Sequence, residues 1–167
     1  MARAAGIRER TVLVVADDAA DAKAAVHSVI RAAADDPLDL HLVNVQPRLG
    51  ANAARYLDRG VIRRFQLEEG HARIDGLRRG LRAAGVRCVG HVAVGDAPAC
   101  IRSLAREIGA DEIVIAARPA RFFGKLLFDL WAGRIARASR VPVTILPAAP
   151  GRRPLRPGTA WGVVWQR

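Results

Sequence analysis

The chain has 167 residues, 51% of them apolar, which suits one well-buried domain with a tail rather than two domains. No run of about 18 apolar residues occurs, so no membrane-spanning helix is expected. The first residues lack the apolar core of a secretion signal, which predicts a cytoplasmic protein. The 27 basic residues outnumber the 16 acidic ones, and the net charge of +11 favours acidic partners such as nucleic acid, anionic lipid or phosphorylated ligands.

Three parts are predicted along the chain: an N-terminal arm of residues 1–10, an α/β domain of residues 11–147 and a basic, proline-rich tail of residues 148–167. Residues 151–158 combine arginine and proline without an acidic residue, which is typical of a linker. A short alternating apolar run with two tryptophans follows at residues 161–165. Two interpretations stay open for this run. It is a disordered end, or it is an extra strand or strap that covers a neighbour's sheet edge or packs a tryptophan into a dimer.

The first half of the domain predicts a strand, a helix and a second strand. Residues 11–16 form a continuous apolar run rich in β-branched side chains, which is typical of a strand buried on both faces of a parallel sheet. The following helix runs to about residue 34, with apolar residues at helical spacing, and ends before Pro37. The second strand covers residues 39–45.

The second half of the domain repeats this alternation. Glycines predict a break near Gly70 in a helix over residues 61–84, whose apolar stripe is Ile62, Phe65, Ile74, Leu77 and Leu81. Further strands are predicted at residues 86–94, 112–117 and 141–146, separated by helical segments. Alternating strands and helices joined by short loops predict an α/β fold, an open parallel five-stranded sheet with helices on both faces.

Candidate metal ligands and nucleophiles are sparse. Cys88 and Cys100 lack metal-ligand spacing and are predicted to be small buried hydrophobic residues. His41, at the head of the second strand, is predicted to be a surface or hydrogen-bonded residue. No histidine has a cysteine or carboxylate partner at metal spacing, and no nucleophile elbow is present; the four are His27, His41, His71 and His91. No metal site and no catalytic residue are therefore predicted.

Five sequence segments, in order and spacing, resemble the universal stress protein family. They are Val12-Leu13-Val14-Val15-Ala16-Asp17, Leu42-Val43-Asn44-Val45, Val94-Gly95-Asp96-Ala97-Pro98, the run from Ala105 to Ile115, and Ser139-Arg140-Val141-Pro142-Val143-Thr144-Ile145-Leu146. The resemblance implies the adenine nucleotide alpha hydrolase-like fold and a homodimer formed through the last strand, from Val141 to Leu146. It also implies a crevice at the strand ends, where many family members bind ATP.

The family's phosphate loop follows the fourth strand and reads glycine, two residues, glycine, nine residues, glycine, and then serine or threonine. Glycines let backbone amides close on the phosphates, and the hydroxyl adds a donor at a helix start. At the matching positions this chain has Ala116, Pro119, Asp129 and Leu130. Pro119 lacks an amide proton and Asp129 would repel a phosphate, so the usual ATP loop is expected to be lost.

Other positions match the nucleotide crevice of the family. The resemblance assigns Asp17 to the adenine-side acid and Val45 to the adenine-side valine. The candidate crevice consists of Asp17, Val45, Ile115, Ala116, Arg118 and Arg121. Arg118 and Arg121 lie in the loop after the fourth strand, and guanidinium groups hold phosphate without a glycine cradle. The alternative is a solvated basic loop over a closed crevice.

The segment of residues 122–140 combines half of the aromatic residues with a basic cluster. In one interpretation it is a core helix, with Leu127, Leu130, Trp131 and Ile135 facing the sheet. In a second, an exposed aromatic and basic surface docks on an anionic membrane or a protein. In a third, the aromatic side chains stack on bases of single-stranded nucleic acid.

Three functional hypotheses follow. The first is a non-enzymatic stress-response dimer that has lost the usual ATP loop, requires no cofactor and acts through protein or other acidic partners. The second is an adenine-nucleotide sensor for ATP or AMP, in which Asp17 and Val45 hold the adenosine and Arg118 and Arg121 hold the phosphates; slow ATP hydrolysis stays open here. The third is a binder of nucleic acid or of an anionic membrane surface, driven by net charge.

Overall fold

A computed structural model of the protein describes residues 9–17, 19–33, 36–48, 58–116, 130–137, 139–146 and 163–164. The strands are β1 (Arg10–Val15), β2 (Leu38–Gln46), β3 (Val89–Val94), β4 (Glu112–Ala116), β5 (Val143–Leu146) and β6 (Val163–Val164). The helices are α1 (Ala19–Ala33), α2 (Arg59–Ala83), α3 (Ala97–Glu107) and α4, the helical residues 130–137. Within these ranges, no helix combines the length and the apolar character that a membrane crossing requires.

The strands form one sheet in the order β3-β2-β1-β4-β5-β6. The first five strands are parallel to one another, which confirms the predicted open α/β sheet. β6 is antiparallel to β5 and lies opposite Val143 and Thr144. The tail therefore contributes a strand, as one interpretation of the sequence held, but this strand pairs with the edge of its own chain's sheet.

Two apolar layers enclose the sheet because side chains alternate along each strand. On one face, Val12 and Val14 of β1 pack with α1 and α2. On the other face, Leu13 and Val15 pack with α3 and α4. All four side chains are buried, which explains why residues 12–15 of β1 are apolar at every position rather than at every second one.

α2 is continuous through Gly70, where the sequence predicted a break. A Cβ atom at Gly70 would collide with Val92 Cγ1 of β3, and one at Gly90 would collide with Ile74 Cγ2 of α2. The glycines therefore let α2 lie close against β3, at a helix-propensity cost that packing offsets. Phe65, expected on the buried face of α2, is 65% exposed.

Two strands begin later than their apolar runs predicted. The N–H of Val86 donates to the carbonyl of Leu81, so residues 86–88 complete the end of α2 before β3 starts. The N–H of Val141 donates to Ser139 Oγ at 3.1 Å, which keeps residue 141 in a turn before β5. In both places a local hydrogen bond replaces a bond of the sheet.

Candidate functional site

The centre of the sheet contains a topological switch point, where the chain stops adding strands toward one edge and starts adding them toward the other. β1 lies between β2 and β4, with Val15 opposite Ile115. β1 is followed by α1 on one face, whereas α4, which follows β4 in sequence, packs on the other face. Connections that leave adjacent strands in opposite directions open a crevice at the carboxyl ends of those strands. Asp17, two residues after the end of β1, and Ala116, the last residue of β4, lie on the two sides of this crevice.

Four of the six predicted crevice residues lie in the described part of the chain. Val45 and Ile115 are 8% and 1% exposed and pack with Val15 in the apolar layer under α3 and α4. Asp17 is exposed at the rim, and Ala116 is half-buried against the α1 and α2 layer. The structure thus brings these residues to one edge of the sheet. Arg118 and Arg121 lie outside the described residues, as do Pro119 and Asp129.

A chain of amide side chains holds the backbone at this edge. Asn44, 2% exposed, donates from Nδ2 to the carbonyl of Ala16 at 2.7 Å. Gln46 donates from Nε2 to Asn44 Oδ1 at 2.6 Å, and Gln66 of α2 donates to the carbonyl of Pro47. Buried amides need such partners because an unsatisfied polar group costs free energy. The network fixes the end of β1 just before Asp17.

The sequence predicted no role for this amide network. Its signal was a single asparagine inside the apolar run of β2, where a buried polar side chain requires a partner. Spacing along one strand does not name a partner, because Ala16 lies 28 residues away from Asn44. Only the pairing of β1 with β2 brings the two together.

Arg73 connects α2 to the rim of the crevice. Its Nη1 donates to the backbone carbonyl of Asp17 at 3.3 Å, and its Nε donates to Glu69 Oε1 at 3.1 Å. The arginine and Glu69 are each about half exposed, so solvent screens their attraction. Arg73 therefore adds a positive group beside Asp17 that the sequence did not identify.

The start of α3 forms the other polar feature of this edge. The Asp96 side chain accepts the N–H of Ala99 at 3.2 Å, and Pro98 occupies the first turn, where its missing N–H is not needed. Arg134 of α4 donates from Nη2 to Asp96 Oδ1 at 3.4 Å, and Arg102 donates to the carbonyl of Arg134. These contacts tie α3 to α4 at the carboxyl edge of the sheet.

The described residues of α4 agree only in part with the interpretation of the aromatic and basic segment as a core helix. Ile135 is fully buried and Trp131 is half-buried against the same apolar layer, as the core interpretation predicted. Leu130 was expected to face the sheet but is 54% exposed, one helical turn from Arg134 on the outer side. Phe122, Phe123, Leu127 and Phe128 lie outside the described residues.

A histidine pair lies at the opposite end of the sheet. His41 Nε2 is 3.0 Å from Asp39 Oδ2, and His41 Nδ1 is 2.8 Å from His91 Nε2. The sequence predicted a hydrogen-bonded His41 but missed its carboxylate partner, which lies two residues away on the same strand face. Burial, followed by the charge of His41, lowers the pKa of His91, while Glu107 opposes this. The described residues contain no group of three side chains that could hold a metal ion.

A switch point with connections on opposite faces, open at the carboxyl edge, defines a doubly wound α/β protein. The family model described as the universal stress protein family matches residues 9–147. The chain belongs to the universal stress protein family, which confirms the resemblance seen in the sequence.

Solved structures with a similar fold include three informative cases. A universal stress protein family member from Burkholderia pseudomallei is 25% identical, with a TM-score of 0.62 over 83% of this chain and 96% of that one. A universal stress protein in complex with cAMP is 21% identical, with a TM-score of 0.60 over 82% and 96%. A family protein from Arabidopsis thaliana with AMP bound is 15% identical, with a TM-score of 0.56 over 87% and 96%. No curated protein matches the sequence.

Proposed function

We propose that this protein is a non-enzymatic stress-response protein whose crevice binds an adenine mononucleotide such as AMP or cAMP. The observation that supports this most is the switch point between β1 and β4, with the exposed Asp17 just beyond the carboxyl end of β1. Ligands of open α/β sheets bind in the crevice at such a point. Structural neighbours solved with cAMP and with AMP support the same ligand class.

A mononucleotide fits this chain better than a triphosphate. The first glycine position of the family's phosphate loop is Ala116, a strand residue paired with Leu146 of β5. The hydroxyl position is Leu130, an exposed apolar residue at the start of the described part of α4. Alanine restricts the backbone more than glycine does, and leucine has no hydroxyl to donate to a phosphate. Arg118 and Arg121 supply the phosphate contacts in this proposal.

Calorimetric titration with adenosine, AMP, cAMP and ATP tests the proposal. We expect AMP or cAMP to bind more tightly than ATP, and Asp17→Asn to weaken AMP binding about tenfold or more, as loss of a charged hydrogen bond would. Asp36→Asn, an exposed carboxylate at the opposite end of the sheet, is the matched control. Absence of binding by all four compounds, or equal affinity in the Asp17 variant, would overturn the proposal. Release of phosphate from ATP above the background rate would contradict the non-enzymatic part.

A second candidate function is docking of an acidic partner on the outer face of α4. Leu130, Arg134 and Arg137 share this face by helical spacing, and all three are exposed. The charge of +11 supports an acidic partner. A polyglutamate peptide and single-stranded DNA serve as probes in a salt titration. We expect Arg137→Glu to weaken binding and Arg79→Glu on α2 to leave it unchanged; equal effects would point to net charge alone.

We also propose a homodimer through the β5 edge. Support comes from the edge position of β5 among the five parallel strands. β6 covers Val143 and Thr144 of that edge, so a dimer requires β6 to move or to pair differently.

A further inference from the structure

A cavity of about 460 Å³ lies at the amino-terminal ends of β2 and β3, opposite the crevice edge. Its lining is Arg78, Arg82, Val86, Arg87 and Cys88. The volume falls in the range of about 300–1,000 Å³ that is usual for small-molecule sites. None of the functional hypotheses drawn from the sequence uses these residues.

Local structure explains why three arginines meet here. Arg78 and Arg82 are one turn apart on α2 and therefore share a helix face. Gly85, with a φ of 79°, then reverses the chain and places Arg87 beside them. The carbonyls of Leu81 and Arg82 accept the N–H groups of residues 84–86. These hydrogen bonds partly neutralise the negative partial charge of the carbonyls at this helix end.

The positive charge of this cluster is only partly compensated. Arg78 Nη1 lies 3.5 Å from Asp75 Oδ1, and both side chains are partly exposed. Within the described ranges, neither Arg82 nor Arg87 makes an ion pair. Guanidinium groups that line one cavity favour a bound oxyanion, which can accept several charge-assisted N–H bonds from them.

A second cavity of about 270 Å³ adjoins the first and shares Val86 and Arg87 with it. Most of its other described lining residues are apolar, namely Ile30, Ala33, Leu38 and Leu40, and Asp36 is the one carboxylate among the described lining residues. Asp36 disfavours a second anionic group at this end. The combined site thus offers cations at one end and an apolar wall at the other.

We propose that this site binds an amphiphilic organic anion, with a phosphate or carboxylate head on Arg78, Arg82 and Arg87 and an apolar chain along Ile30, Leu38 and Val86. The site is separate from the crevice and does not depend on nucleotide binding there. It would make the protein responsive to a free acyl or alkyl anion or to an anionic lipid.

Cys88 provides a reporter inside the site. It is a free, half-buried thiol. Burial raises the pKa of Cys88, while Arg78 and Arg82 act in the opposite direction. An anion on the arginines cancels their effect and covers the sulfur, so alkylation of Cys88 slows when the site is filled.

The test measures alkylation of Cys88 by iodoacetamide, together with calorimetry, in a Cys100→Ser background. The probes are inorganic phosphate, octyl phosphate, octanoate and octanol. We expect octyl phosphate and octanoate to bind and slow alkylation, phosphate alone to bind at least about tenfold more weakly, and octanol to have no effect. Equal affinities for octyl phosphate and inorganic phosphate would show that the apolar wall does not contribute to binding. If neither octyl phosphate nor octanoate binds, the proposed site is wrong.

Arginine variants assign any binding to this cluster. We expect Arg82→Met and Arg87→Met each to weaken octyl phosphate binding about tenfold or more, as loss of a charge-assisted bond would. Arg79→Met removes the same charge from the same helix outside the cavity lining, and we expect no change. Equal weakening by all three variants would overturn the proposal in favour of net charge.

Two further experiments identify the source of the ligand and distinguish the arginine-lined cavity from the crevice. Sedimentation with phosphatidylcholine vesicles, with and without phosphatidic acid, shows whether the anionic head is presented by a lipid surface or by a free molecule. Saturating AMP should leave octyl phosphate binding unchanged. Displacement of octyl phosphate by AMP would overturn a separate site, whereas failure of AMP to bind at all would affect only the proposed crevice function.

Discussion

The Nδ1 atom of His41 lies 2.8 Å from the Nε2 atom of His91, across the pairing of β2 with β3. Asp39 accepts the N–H of His41 Nε2, so His41 Nδ1 is left to accept the N–H of His91 Nε2. This assignment follows from the hydrogen-bond network. Protonation of both rings would place two N–H groups against each other, and the pair therefore favours at least one neutral ring.

The first prediction is an acid-sensitive stability. The pKa of His91 is lowered in the folded protein, mainly by burial and next by His41, with Glu107 opposing. The unfolded chain therefore binds more protons as pH falls through about 6.5, and the free energy of unfolding decreases until the folded pKa is passed. Urea unfolding between about pH 8 and pH 5 measures this.

Variants separate the pair from general acid effects. His91→Gln should reduce the loss of stability in this pH window, whereas His71→Gln, an exposed histidine of α2, should leave it unchanged. A pH dependence that is the same in both variants would rule out the histidine pair as its origin. Other charged groups near the pair, Asp39 and Glu107, are present in both.

The second prediction concerns two glycines of α2. A Cβ at Gly70 would collide with Val92, whereas at Gly80 nothing lies within 4 Å of the added atom. Gly70→Ala should destabilise the protein because β3 must shift, despite the better helix propensity of alanine. Gly80→Ala should stabilise it by about 0.5–1 kcal/mol. Urea unfolding compares the two, and a gain of stability in both would show that α2 does not pack closely on β3.

The third prediction concerns Asn44. Asn44→Ala removes the donor to the Ala16 carbonyl and the acceptor of Gln46, and should lower the free energy of unfolding by about 1–3 kcal/mol. If the network also positions Asp17, AMP affinity should fall as well under conditions where the variant is folded. Ser28→Ala, which removes a hydroxyl bonded within α1, is the control. Equal stability of the two variants would argue against the network.

The fourth prediction concerns β6 and the β5 edge. A chain that ends at Ala149 lacks β6 and leaves residues 143 and 144 of β5 open for another strand. We expect it to dimerise at lower concentration than the full chain, as measured by sedimentation equilibrium. A full-length variant with Val163→Pro and Val164→Pro keeps the charge of the tail and should behave like the shortened chain. A weaker dimer in both would show that β6 supports association.

Much of the architecture could be predicted from periodicity. The continuous apolar run of β1 and the helical spacing in α1 and α3 reflect burial, which a residue's own neighbours in sequence already report. The crevice edge was expected only from the family resemblance, because an alternation of strands and helices does not determine the order of the strands in the sheet. The starts of β3 and β5 could not be predicted from the apolar runs, because at Val86 and Val141 a local hydrogen bond replaces a hydrogen bond of the sheet.

Contacts between distant residues could not be predicted in this way. Gly70 marks the place where α2 meets β3, and a glycine in a helix signals a break as readily as a close contact. Phe65 and Leu130 have helical spacing but face outward, because spacing gives a stripe without saying how far it extends around the helix.

Sequence and tertiary structure contributed different parts of this description. The sequence by itself determined the family and the parallel sheet, because these depend on residue types in order along the chain, whereas the loss of the glycine positions stays a prediction. Only the tertiary structure decided which groups meet: the Asn44 side chain with the backbone carbonyl of Ala16, His41 with His91, and three arginines with Cys88. The physical reason is that such sites form between segments far apart in sequence, whose pairing depends on the register of the strands and the packing of α2 against them.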